Sequence, residues 1–189
     1  MPQAYDCWAQ ITSRNGFRGD ELVSSLQKLI RRGDAEQACR IAYEMYLTGE
    51  ALENYMWLRL SVISVEDIGP ASPYLAGLVC ALDTQRRAFP YGSGDRMLFA
   101  IHAIRTLCGS EKTRSNDMLL NVIMREFERG AYPTIPDVAL DMHTRRGQAM
   151  GRGLEHFLRE AAQVSPAWTG KEPDYHGQLL EELDKERKK

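Results

Sequence analysis

The residues of this sequence best suited to hold a metal ion are one carboxylate and three imidazoles. Asp141 and His143 lie two positions apart, and His102 and His156 could complete a set of ligands. A zinc or iron site needs three or more ligands that converge at about 2 Å, and nothing in the spacing indicates such convergence. The pattern favours a hydrogen-bonded structural pair of Asp141 and His143. The alternative is a small metalloenzyme built on Asp141, His143 and His156.

Signatures of nucleotide hydrolysis and of cysteine catalysis are missing from the sequence. It contains no GxxxxGK-S/T loop, and the glycine-rich stretch 147–153 follows no predicted strand, which favours close helix packing over phosphate binding. The four cysteines, Cys7 included, show no CxxC spacing, and a thiol on an apolar helix face behaves as a small hydrophobe. We expect free thiols, no catalytic residue and no cofactor. The cysteines predicted to lie on apolar faces are Cys39, Cys80 and Cys108.

Five basic residues are predicted to lie in turns, where they could contact DNA phosphates. The chain carries 24 Lys and Arg against 26 Asp and Glu, so any basic footprint must be local. No aromatic residues alternate with the basic ones, which argues against stacking on single strands. Solvated surface is the favoured interpretation, and a DNA-binding adaptor is the alternative. The five residues are Lys112, Arg114, Arg145, Arg146 and Arg152.

Two adjacent carboxylates, Glu66 and Asp67, follow an apolar helical stripe and precede the break at Gly69-Pro70. In one interpretation they form a solvated turn or cap the N-terminus of a neighbouring helix. In the other they belong to a polar network that holds helix ends together at an interface. The residues alone leave both interpretations open.

Short amphipathic segments surround these residues and predict an all-α, multi-helix bundle. Apolar residues recur at helical spacing, glycines close most runs, and no alternating β-branched run competes. Asp20, Ser72 and Asp95 are predicted N-caps. The helical segments are 20–33, 34–49, 52–64, one that starts at Ser72-Pro73, 95–109 and 115–129.

The last predicted helix of this series should point its apolar stripe into the core, through Leu119, Val122, Ile123 and Phe127. Residues 137–162 are predicted to form a short helix, a constrained turn at 147–153 and a final helix. The expected organisation is an N-terminal extension 1–16, a helical domain 17–164 and a charged tail 165–189, frayed or docked to a partner as a helix. Leu154, Phe157 and Leu158 lie on the final helix, and Leu179, Leu180 and Leu183 form the one apolar patch of the tail.

Three stretches at predicted helix boundaries are similar to motifs of one protein family. Residues 29–38, LIRRGDAEQA, resemble the family's IRGSDPDAAL. Residues 64–69, SVEDIG, with Ala71 and Pro73, resemble ASEDIGLADP, and residues 112–116, KTRSN, resemble PKSNA. Together they cover roughly residues 17–130. In these motifs the chain resembles the C-terminal helical region of the RarA/MgsA family, also called replication-associated recombination protein A, a branch of the clamp-loader-like AAA+ ATPases.

The resemblance implies a helical module that follows an ATPase core, assembles into a homotetramer and serves at stalled replication forks. It leaves open whether this chain is a piece of such an ATPase or a stand-alone relative. We therefore expect a non-catalytic oligomerisation module in DNA replication, recombination and repair, a tetramer with a dimer as the alternative. The motif or interaction candidates are Arg32, Asp34, Glu66, Asp67, Lys112, Arg114, Asn116, Asp141, His143, Arg145 and Arg146.

The location expected from the sequence is the cytoplasm. The N-terminal residues MPQAYDCWAQ lack the basic-then-apolar pattern of a secretory signal. No apolar run approaches the roughly 18 residues that a membrane-spanning helix needs. We expect replication proteins or DNA as further partners, and no membrane.

Overall fold

The structure, a computed structural model, describes residues 7–167, 169–171 and 173–187. The predicted extension 1–16 and tail 165–189 therefore lie partly outside the described residues. The chain divides into two compact units, Met1–Gly130 and Ala131–Lys189. Within the described ranges every regular element is helical and no strand is formed, so the all-α prediction is confirmed. No helix among these residues combines the length and the apolar character needed to cross a membrane.

In its described part, the first unit consists mostly of six α-helices, and a π turn and short 3₁₀ segments connect or precede them. The π turn, Ser64–Ile68, continues α3 directly, and a 3₁₀ turn, Gly69–Ala71, follows at the predicted break. Another 3₁₀ turn covers Cys7–Gln10. The helices are α1 (Gly19–Arg32), α2 (Ala35–Thr48), α3 (Glu50–Ile63), α4 (Leu75–Arg86), α5 (Gly94–Gly109) and α6 (Ser115–Glu128).

Helices α1 to α5 enclose the core of the first unit. α1 packs on α2, and α5 packs on both α2 and α4. Their apolar stripes meet at fully buried side chains that include Leu26, Ile30, Met56, Leu60 and Ile104. Complete burial of a side chain of this size contributes about 1.5–3 kcal/mol. The helical spacing of these residues is therefore a consequence of one shared core.

Helix ends agree with the sequence at Gly33 and Asp34 and differ at three predicted caps. Gly33 ends α1 in the left-handed conformation, with φ 79°, and the carboxylate of Asp34 caps α2. Asp20 and Asp95 lie inside the first turns of α1 and α5, and α4 begins after Ser72-Pro73, so none of the three predicted side chains caps its helix. A carboxylate in a first turn still interacts favourably with the helix dipole, which accounts for Asp20 and Asp95 at the starts of α1 and α5.

Helix α6 forms as predicted, but its predicted burial is wrong. None of its residues is buried. Leu119, Val122, Ile123 and Phe127 keep 60%, 50%, 40% and 54% of their surface exposed. Helical periodicity shows that a face favours burial, and here the described residues of the same unit do not provide that burial.

The cysteines also differ from the prediction at one position. Cys108 is buried and Cys39 half-buried, but Cys80 is exposed on α4, so its predicted place on an apolar face is wrong. Burial raises the pKa of the Cys108 thiol to about 11 and raises the pKa of Cys39 as well. The described cysteines are free thiols. The side chain of Cys7 lies outside the described residues.

The described part of the second unit contains four short helical segments and one longer helix, and its buried side chains include Leu140 and Leu158. A Cβ on Gly147 would overlap the backbone of Asp141, so close packing here requires a glycine, as the sequence favours. Leu154 and Leu179 are exposed. The elements are a 3₁₀ turn (Asp137–Ala139), α7 (Arg145–Ala149), α8 (Leu154–His156), a π turn that continues it (Phe157–Ala161) and α9 (Tyr175–Arg187).

Candidate interaction site

The centre of the candidate site is Asp67, whose side chain is completely buried at the end of the π turn. Its carboxylate accepts hydrogen bonds from Gln27 Nε2 at 3.0 Å and from Arg31 Nε at 2.6 Å. Arg114 Nε lies 3.4 Å from the same carboxylate. Charge-assisted bonds of this kind are stronger than neutral ones, and they compensate for the desolvation of a buried carboxylate.

Glu66 and Asp117 extend this arrangement toward α6. Glu66 Oε1 lies 3.5 Å from Arg31 and 3.4 Å from Arg114, and Arg114 Nη2 donates to Asp117 at 2.6 Å. We call Gln27, Arg31, Glu66, Asp67 and Arg114 the Asp67 network. It connects α1, the π turn and the start of α6. All its members except Gln27 lie in the three stretches that carry the family resemblance. The geometry is that of a polar network holding helix ends, because Asp67 has no contact with solvent.

Backbone contacts fix the same junction. Gly69 has φ 57°, and a Cβ there would lie 2.8 Å from the carbonyl oxygen of Thr113. Thr113 N–H donates to Ile68 O at 3.1 Å, and Asn116 Nδ2 donates to Val65 O at 3.0 Å. The first turn of α6 is therefore held by side chains and backbone together, while the rest of the helix extends away from these contacts.

Most of the surface of α6 is apolar. Beyond the four residues predicted to be buried, Met118, Leu120 and Met124 are 53%, 57% and 43% exposed. At 3.6 residues per turn, the polar side chains of Asp117, Asn121 and Glu128 fall on one edge of the helix. A helix that is apolar on most of its circumference is normally covered by other protein.

The sequence predicted Arg32 as an interaction candidate. In the structure Arg32 is exposed, and its neighbour Arg31 joins the Asp67 network instead. Gln27 was also missed. Gln27 and Arg31 are four residues apart on α1, a spacing that places two side chains on one helix face and was the available signal.

Two further family-motif residues cap helices in the same unit, one at the start of a helix and one at the end of another. Asp34 accepts a hydrogen bond from the Gln37 N–H at the start of α2. Lys112 Nζ donates to the carbonyl oxygens of Cys108 and Ser110 at 2.7 and 2.8 Å, at the end of α5. Such a lysine satisfies carbonyls that have no partner inside the helix.

An apolar groove lies between α2 and α5, with a volume of about 770 Å³. Its apolar lining includes Cys39, Tyr43, Leu47 and Ile101. The charged residues Glu36, Arg40, Glu44 and Arg105 also line it. Tyr43 is half exposed. No sequence pattern indicated this groove, because it arises from two helices that are distant in sequence.

The Asp141–His143 pair is hydrogen-bonded, as the sequence favours. His143 Nδ1 lies 3.0 Å from Asp141 Oδ2, and the His143 backbone N–H donates to Oδ1 at 2.9 Å. These two bonds hold the pKa of Asp141 below its ordinary value. Among the described residues no three histidine, cysteine, aspartate or glutamate side chains are grouped as metal ligands, so the metalloenzyme alternative has no support.

The basic residues of the second unit differ in their contacts. Arg152 forms two bonds to the Asp137 carboxylate, at 2.8 and 2.7 Å, and donates to the carbonyl of Leu140 at 2.8 Å. Arg145 and Arg146 are exposed. Since Lys112 and Arg114 also form internal contacts, only these two of the five predicted phosphate ligands have side chains without an internal partner in the described part. DNA binding stays a prediction.

These features define an all-α protein in which charged residues of the family-like motifs hold helix ends, and in which α6 leaves large apolar side chains exposed. A scan of protein-family models found none that matches the chain. The chain is similar to the Replication-associated recombination protein A of Bacillus subtilis (strain 168), with 30% identity over 160 residues. The similarity covers 82% of this chain and 37% of that relative, so the chain spans well under half the length of the relative. The chain therefore belongs to the RarA/MgsA family, and the resemblance found in the sequence is confirmed.

Proposed function

We propose that this chain is a non-catalytic oligomerisation module that assembles copies of itself through α6, in the service of a replication-associated recombination protein. The proposed process, replication-associated recombination, comes from the name of the Bacillus subtilis relative. The exposed apolar side chains of α6 support self-assembly as the mode of action. The expected assembly is a tetramer, with a dimer as the alternative.

The observation that carries this proposal is the exposure of α6. Complete burial of a Leu, Ile, Val, Phe or Met side chain contributes about 1.5–3 kcal/mol, and the seven such side chains of α6 keep 40–60% of their surface in water. Covering them would therefore contribute about 1 kcal/mol per side chain. Such a sum can exceed the cost of association, which is about 4–15 kcal/mol. The Asp67 network and the backbone contacts beside it support the proposal further, because they hold the first turn of α6 in place.

Size-exclusion chromatography with light scattering tests the proposal at tens of micromolar protein. The chain should elute as a tetramer or dimer, and Leu119→Glu on α6 should convert it to a monomer. Leu58→Glu on α3 is the matched control, because Leu58 and Leu119 are 57% and 60% exposed. A monomeric wild-type chain would overturn the proposal. Equal effects of both substitutions would also overturn it, because they would show a loss unrelated to α6.

A further inference from the structure

We infer that α6 of one copy packs into the groove between α2 and α5 of a second copy, so that the contact between subunits is head-to-tail. This inference rests on the proposed self-assembly and specifies its receiving surface. The occupant is a second copy of this chain.

The shape of the groove fits a helix. Ala35, Cys39, Tyr43 and Leu47 line it at intervals of four residues along α2. This row is about 18 Å long at 1.5 Å per residue, and the apolar length of α6, residues 118–127, is about 14 Å. Rows of side chains four apart are the ridges against which helices commonly pack.

Two unpaired charges of opposite sign support this match. Arg105 lies at the groove beside Ile101, and its side chain forms no ion pair with any described residue. Glu126 is exposed on α6 and is likewise unpaired there. It shares a helix face with Leu119 and Val122, seven and four residues before it. Each charge therefore lies beside an apolar surface, and docking would bring the two surfaces and the two charges together.

The negative charge of Glu126 disfavours direct pairing of two α6 helices. In an antiparallel pair centred on Val122, Glu126 of one helix would lie against Leu119 of the other. A carboxylate buried against a leucine without a partner is costly. Within its own unit α6 packs chiefly on the π turn and the Gly69–Ala71 turn, so its apolar surface stays available to a second copy. Head-to-tail contacts of this kind can close into rings.

Charge exchange in the full-length chain tests the pairing, with the dissociation constant measured by sedimentation equilibrium. Glu126→Arg and Arg105→Glu should each weaken association about tenfold or more, and the chain with both substitutions should recover most of that loss. Arg125→Glu is the control on α6, because Arg125 lies on a different face of the helix, and it should change the constant less than threefold. Failure of the double substitution to recover affinity would overturn the charge pairing.

Mixing two defective variants separates the inference from the proposed function. One variant carries Leu119→Glu on α6, and the other carries Tyr43→Ala and Arg105→Glu in the groove. Each alone should be monomeric and should keep the wild-type circular dichroism spectrum. Their mixture should form a one-to-one heterodimer, because one supplies an intact groove and the other an intact α6.

Two other results would overturn the inference. If the groove variant assembles normally while Leu119→Glu abolishes assembly, α6 binds elsewhere and the proposed function stands. If both variants are monomeric but their mixture does not associate, α6 and the groove do not bind each other, and each belongs to a separate contact. A monomeric wild-type chain, by contrast, would remove the proposed function itself.

Discussion

Asp67→Asn tests whether the buried network stabilises the first unit. The substitution keeps the size of the side chain and removes its charge. Arg31 and Arg114 would then lose their shared carboxylate, and the new amide group would direct N–H donors toward two cations. In the opposite orientation of the amide, Gln27 Nε2 would instead lose its acceptor, which lies 3.0 Å away in the wild type.

The expected cost follows from the exposure of the partners. Removing one member of a fully buried ion pair costs about 3–5 kcal/mol. Here Asp67 is fully buried, but Arg31 and Arg114 are 29% and 34% exposed, so water partly replaces the lost carboxylate. We expect a loss of about 2–3 kcal/mol in the free energy of unfolding. At about 2–4 °C per kcal/mol for a chain of this size, the melting temperature should fall by roughly 5–10 °C.

Urea unfolding followed by far-UV circular dichroism measures this loss. Asp95→Asn is the matched control, because Asp95 is exposed in the first turn of α5 and a carboxylate there contributes only about 0.3–1 kcal/mol. In a double-mutant cycle, Asp67→Asn should couple to Arg31→Gln. An Asp67→Asn variant that unfolds within about 0.5 kcal/mol of the wild type would refute the reasoning, since surface substitutions have effects of that size.

Three further outcomes follow from side chains of the first unit. At pH 8, iodoacetamide should alkylate exposed Cys80 well before Cys108, because a pKa of about 11 leaves roughly one Cys108 thiol in a thousand ionised; peptide mass spectrometry reports the order. Burial raises the pKa of Glu44, but hydrogen bonds from Ser13 and neighbouring groups outweigh it and lower the pKa overall. The stability it contributes should be present above pH 4.5 and lost as the pH falls through the lowered value, and Ser13→Ala should raise the midpoint of its NMR titration. Lys112→Met should cost about 1 kcal/mol in urea unfolding and leave any affinity for DNA unchanged, because its ammonium group closes α5.

The positions of the helices could be predicted because their signals are local. Gly33 ends α1 in the left-handed conformation, and the side chain of Asp34 caps α2 by accepting the N–H of Gln37. Both interactions involve only neighbouring residues, so the local sequence contains them completely. The Asp141–His143 pair is local in the same way. The exact first residues of α1, α4 and α5 were not predictable, since several nearby residues can begin a helix at similar free energy.

The exposure of the apolar residues of α6 could not be predicted, because the apolar pattern is the same whether Leu119 contacts its own chain or another. The contacts of the Asp67 network could not be predicted from local sequence patterns, for a different reason. Arg31 and Arg114 are 36 and 47 residues from Asp67, and no periodicity relates them. The groove between α2 and α5 likewise depends on how two distant helices pack.

The convergence of three separate stretches on one carboxylate has an evolutionary consequence. A substitution at position 67 changes the surroundings of positions 27, 31 and 114 at once, so a lineage that loses the acid is under selection to replace its basic partners too. In an alignment of relatives, these columns should therefore vary jointly, and position 69 should admit only glycine, whatever divergence the outer faces of the helices have accumulated.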